Sequence, residues 1–170
     1  MRLVFNSTPL IYLTRAGILP LLNELPFEML TPPGVKKEVV DRGKEKSAKD
    51  ALMVEKMIQG GTLKIGHITD KEMLKVLSNI PELHSADAEV LALAREVKGI
   101  AVVDDLVARE VARTYGIEHG GTVFVIALLV ARKLITKEMA RGALDDMISL
   151  GWRCSAEQYS QMVKMIEKAT

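Results

Sequence analysis

The segment "GIAVVDDLVAREVARTYG" constrains the fold more than any other stretch of the chain. Residues 100–103 are apolar at every position rather than at alternate ones. A strand formed there is covered on both faces, which is the condition of a parallel sheet lying between helices. At Asp104 and Asp105 the apolar period changes from two to 3.6, and an amphipathic helix follows at once.

The same switch recurs along the chain. "RLVFN" is a short apolar run ending at Asn6, and "STPLIYLTRAG" follows with a capping hydroxyl at Ser7, a proline in the first turn and a stop at Gly17. In "FEMLTPPGVKKEVVDRG", Pro32 and Pro33 end an extended run, and Val35, Val39 and Val40 line one helical face flanked by Glu38. "SAKDALMVEKMIQGG", "TLKIGHI" and "DKEMLKVLSNI" read as helix, strand and helix in a peripheral insert. "HSADAEVLALAREVKG" is a helix capped by Ser85, with Val90, Leu91 and Leu93 as its stripe and Gly99 as its stop. After Asp105 come a short strand at "IEHGG", the apolar helix "TVFVIALLVARKLI", a helix at "TKEMARGALDDMISLG", and finally "WRC" with the amphipathic helix "SAEQYSQMVKMIEKA".

Strands alternating with helices predict an α/β protein, a three-layer α/β/α sandwich with a central, mostly parallel sheet and a C-terminal helical extension. Residues 1–150 form one domain, and 151–170 add a strand and a helix packed on it. The 170 residues, 48% of them hydrophobic, suffice for one core. Cys154 is the only cysteine, which excludes an internal disulfide and a multi-cysteine metal site and suits a reducing, cytoplasmic compartment. The longest apolar run, "TVFVIALLVA", is about half the roughly 20 residues of a membrane-spanning helix, so no membrane is expected. A net charge of +1 gives no generally basic domain, and any RNA-binding surface must be local.

In a parallel sheet, ligands gather outside the carboxyl ends of the strands, where residues far apart in sequence converge. Asn6, Glu38, Asp87 and Asp104 close strands or open helices there. Oxygen donors without a His/Cys set suit a hard cation, Mg²⁺ or Mn²⁺. His67, His84 and His119 lack metal-binding spacing and read as structural or surface groups.

Taken in order, "VFNSTPLIYL", "TPPGVKKEV", "SADAEVLALA" and "VVDDLVAREVA…GGT" resemble the sequence blocks of the PIN domain family, particularly its prokaryotic and archaeal branch similar to VapC-type ribonucleases. The resemblance implies a metal-dependent endoribonuclease in which Glu38, Asp87 and Asp104 are catalytic and hold Mg²⁺ or Mn²⁺. Asn6 stands where the family has its first aspartate and serves as a neutral fourth ligand, with Asp105, Thr122 and Ser7 as auxiliary groups. It implies an RNA substrate, a homodimer, and the role of a toxin restrained by a small antitoxin protein. The Asn6 substitution supports a second reading, a module that has lost cleavage and binds RNA or a protein.

Each residue also has a purely structural reading. Asn6 suits a turn that bonds its own backbone, Glu38 a solvated helix face, and Asp87 a helix N-terminus. Thr122 suits a helix cap. Asp105 is assigned the cap of the following helix, from which it can pair with Arg109 one turn on. The basic run "KKEVVDRGKEKSAK" offers Lys36, Lys37 and Arg42 to RNA, or is a solvated face. Met162 and Met165 mark a packing or dimer face. An unrelated α/β phosphotransferase is disfavoured by the lack of a Gly-rich phosphate loop.

Overall fold

A computed structural model describes residues 1–45 and 49–170. Five strands form one sheet: β1 (Arg2–Phe5), β2 (Glu28–Thr31), β3 (Leu63–Ile65), β4 (Ile100–Val102) and β5 (His119–Gly120). Their order is β3-β2-β1-β4-β5 and every pairing is parallel, with Val4 opposite Leu30 on one side and Ala101 on the other. Leu3, Val4 and Phe5 of the central strand have no exposed surface, as a strand covered on both faces requires. The order reverses between β1 and β4, so the loops leaving these strands diverge and open a crevice at the carboxyl edge.

The helices are α1 (Ser7–Arg15), α2 (Pro33–Lys36), α3 (Arg42–Glu45), α4 (Lys49–Gln59), α5 (Lys71–Ser78), α6 (Ser85–Glu96), α7 (Leu106–Thr114), α8 (Thr122–Ala131), α9 (Lys137–Ser149) and α10 (Ala156–Lys168). A 3₁₀ turn at Leu19–Glu24 follows α1, and a π turn at Lys37–Asp41 joins α2 to α3. One group of helices is built on α1, which touches α4, α8 and α9; another is built on α6, which packs on β1 and β4 and touches α5 and α7. This is the α/β/α arrangement expected, with a sheet that is wholly rather than mostly parallel.

Several local expectations are revised. The segment expected as a peripheral insert supplies β3, an edge strand of the sheet itself. The expected start of its first helix at Ser47 lies outside the described residues. Ser85 is the first helical residue and His84 the cap, without a side-chain hydrogen bond. At the end of α6 the left-handed conformation falls on Lys98, φ 51°. Gly99 serves instead as a close approach, because a Cβ there would sit 3.0 Å from the Arg2 carbonyl oxygen. The expected strand at "WRC" does not form: the Trp152 N–H donates to the Met147 carbonyl at the end of α9, so this segment is held by a helix end and not by a ladder.

Candidate active site

The crevice is built where β1 and β4 end. The Asn6 N–H donates to the Val102 carbonyl at 3.1 Å, which joins the two strand ends. The Asn6 side chain then turns back as the cap of α1, its Oδ1 accepting from the Ser7 N–H at 2.8 Å. With the oxygen committed to the backbone, the amide nitrogen faces outward and donates to Asp87 Oδ1 at 2.5 Å. One short side chain thus caps a helix and restrains an acid 81 positions away.

Asp87 sits in the first turn of α6 and is only 3% exposed. Its carboxyl is pushed up to about 6, chiefly by burial, then by the nearby charge of Asp105 and, more weakly, of Glu38; His84 and the Asn6 hydrogen bond act in the opposite direction. Glu38 lies on the π turn, exposed, with Oε2 accepting from the Ser7 hydroxyl at 2.6 Å. Turns of this kind are rare and recur at functional sites. Here the turn lets Val39 and Val40 stay buried while Glu38 faces the crevice. Asn6, Ser7, Glu38, Asp87 and Asp105 therefore form one group, with a buried acid at its base and two exposed acids beside it.

Asp104 is turned elsewhere. Its Oδ1 accepts from the Thr122 N–H at 2.8 Å and its Oδ2 from the Thr122 hydroxyl at 2.5 Å and the Trp152 indole N–H at 3.3 Å. Arg109 adds a charge contact to Oδ1 at 3.7 Å. The expected pairing of Arg109 with Asp105 does not occur, because Arg109 Nε donates to the Val103 carbonyl and directs the guanidinium to Asp104. Asp105 is the cap of α7, accepting from the Ala108 N–H at 2.9 Å, as expected. Gly121 closes this second group: a Cβ there would overlap both Asp104 Oδ1 and the Arg109 guanidinium. Thr122, fully buried, belongs with Asp104 and not with the ion-facing acids.

Glu89 was not anticipated. Its carboxylate accepts from the Gly34 N–H at 2.8 Å, tying α6 to the start of the segment that carries Glu38. Its only trace in the sequence is its place two residues after Asp87 in "SADAEV". Trp152, the one tryptophan, was likewise read only as part of a terminal strand. Of the basic residues, Lys36 pairs with Asp41 at 3.6 Å, while Lys37 and Arg42 are exposed on the same segment.

Among the described residues, no three His, Cys, Asp or Glu side chains stand close enough to hold a metal ion as they are placed. The chemistry of the donors nevertheless fits a hard cation, since oxygen groups stand about a carboxylate whose pKa is raised by burial and then by like charges, both of which a cation would offset.

The family model described as a PIN domain matches residues 2–168 of the chain. The curated relative Endoribonuclease Nob1 of Pyrococcus abyssi (strain GE5 / Orsay) is 36% identical over 101 residues, a match covering 55% of this chain and 58% of the relative. The chain thus spans little more than half the length of that relative.

Proposed function

Since the chain belongs to the PIN domain family, we propose that it is an endoribonuclease using Mg²⁺ or Mn²⁺ at the carboxyl edge of its sheet. The observation that carries this reading is Asp87: a carboxylic acid, nearly inaccessible, pressed up to about 6 beside two further acids. A cation placed beside these acids would offset both the cost of burial and the repulsion.

Glu38, Asp87 and Asp105 would hold the ion. When bound, such an ion lowers the pKa of a coordinated water and offsets charge developing on the phosphodiester. The chain's own residues arrange this set. The Asn6 amide N–H fixes Asp87 Oδ1, and the Ser7 hydroxyl fixes Glu38 Oε2. Asp104, expected among the ligands, is assigned a positioning role: by gripping Thr122, Trp152 and Arg109 it anchors the loop that presents Asp105. Asn6 replaces what would be another acid with a hydrogen-bond donor, so the metal-free site carries one fewer repelling charge. The toxin role, a small antitoxin partner, a homodimer and a cytoplasmic location follow from the resemblance and belong to the same proposal. No helix among the described residues is long and apolar enough to cross a membrane.

The same geometry favours a second reading, an RNA- or protein-binding module that has lost cleavage. Asn6 Oδ1 is committed to the Ser7 N–H, and among the described residues no three acids close on a point. The deciding experiment is Mn²⁺-dependent cleavage of a labelled single-stranded RNA by the native chain and by Asp87→Asn. Cleavage that disappears in the variant is expected. Absent or equal cleavage, with Mn²⁺ failing to raise the melting temperature of the native chain, would overturn the nuclease reading in favour of the module.

A further inference from the structure

A groove of about 410 Å³ lies between α7 and α10, floored by β5 and the start of α8. That volume falls in the range of sites for small ligands, roughly 300–1,000 Å³. Its polar side is α7, where Arg113 shares one face with Arg109, whose guanidinium is turned toward Asp104, and His119 stands beside them on β5. Its apolar side is Phe124 with Met162 and Met165 of α10. Met165 is 46% exposed, and Phe124 and Met162 are half-buried.

The floor includes the Phe124 side chain. A Cβ at Gly120 would overlap the Phe124 ring, so glycine at that position lets the ring lie on the end of β5. Phe124 remains half-buried there. At the other end the groove reaches Leu106, 67% exposed, which directly follows Asp105 in the chain. The groove thus ends one residue along the chain from Asp105.

We propose that this groove binds a single-stranded RNA segment, with its phosphates on Arg113 and one base stacked on Phe124, and delivers the strand to the crevice at Asp105. The choice of RNA rests on the nuclease reading above. The chemistry of the groove supports it independently: a cation on one wall attracts a polyanion, and an aromatic ring with flexible thioethers on the other accepts any base without selecting its hydrogen-bonding edge. The Arg113 contact to Glu110, between side chains that are both more than half exposed, is easily exchanged for a phosphate.

The test is fluorescence anisotropy of a labelled uridine-rich 10-mer RNA with the full chain in EDTA, so that binding is read without cleavage. Phe124→Leu keeps the apolar volume and removes the aromatic face, and it should weaken binding about tenfold. Arg113→Ala should weaken binding and reduce the slope of log affinity against log salt by about 0.7. Both variants should melt within a few degrees of the native chain.

Unchanged affinity in both variants, or no binding by the native chain, would overturn the groove. So would light scattering that finds the native chain dimeric and Arg113→Ala or Phe124→Leu monomeric, since the face would then belong to a second copy. The Mn²⁺ cleavage assay on the same samples separates the two proposals. Cleavage with groove-independent binding removes only the groove, whereas groove-dependent binding without cleavage removes only the nuclease.

Discussion

Asp87, held by the Asn6 amide, makes the stability of the crevice depend on pH. The acid's folded pKa, about 6, lies above its ordinary 3.8, so the folded chain holds the proton more tightly than the unfolded one. Ionising Asp87 therefore lowers stability as pH rises from about 4 to about 6, and the loss is complete above that, at about 3 kcal/mol. Asp87→Asn keeps an acceptor for the Asn6 amide and removes the charge. It should raise the melting temperature at pH 8 and leave it nearly unchanged at pH 4, as thermal melts at the two values will report. Adding Mn²⁺ at pH 8 should stabilise the native chain and not this variant. That Asn6, Glu38 and Asp87 gather at one edge of the sheet was legible from strands that alternate with helices, since each closes a strand or lies in the early turns of a helical segment. The different surroundings of Asp104 and Asp105 were not, because adjacent acids look alike in sequence, and what separates them is Thr122, 18 positions from Asp104, and Trp152, 48 positions away.

The elements that carry the site are short and held by side chains. The helical segment from Pro33 to Glu45 begins without a cap of its own, and Glu89 supplies one from α6. Glu89→Ala should cost about 1 kcal/mol in urea unfolding, the usual loss of a helix cap. It should also weaken Mn²⁺ binding measured by calorimetry, because the turn carrying Glu38 loses its tether. Helical periodicity identified this segment from Val35, Val39 and Val40, but the widening at Lys37–Asp41 shows only in the pair Val35 and Val40, five apart and both buried, a spacing that an α-helix alone would place on different faces. The same limit applies at Gly99. A glycine after a helix reads as a stop, yet here Lys98 turns the chain and Gly99 makes room for β1.

At the scale of the whole molecule, the parallel sheet was legible from strands apolar on both faces, and its strand order places the crevice at the reversal between β1 and β4. The C-terminal residues are part of this body and not an appendage. Trp152 is 8% exposed, Ile166 is fully buried, and α10 packs on α8 and α9. A chain ending at Leu150 should unfold at lower urea, with at least about 3 kcal/mol lost from those two side chains alone. The native chain should unfold in one transition in which circular dichroism and fluorescence coincide. The Trp152 contact has a further consequence. With a single indole in the chain, hydrogen-bonded to a carboxylate beside both the crevice and the groove, the protein carries its own optical reporter. Its ultraviolet emission registers any shift of the Asp104 clamp, so cation and RNA titrations need no attached dye.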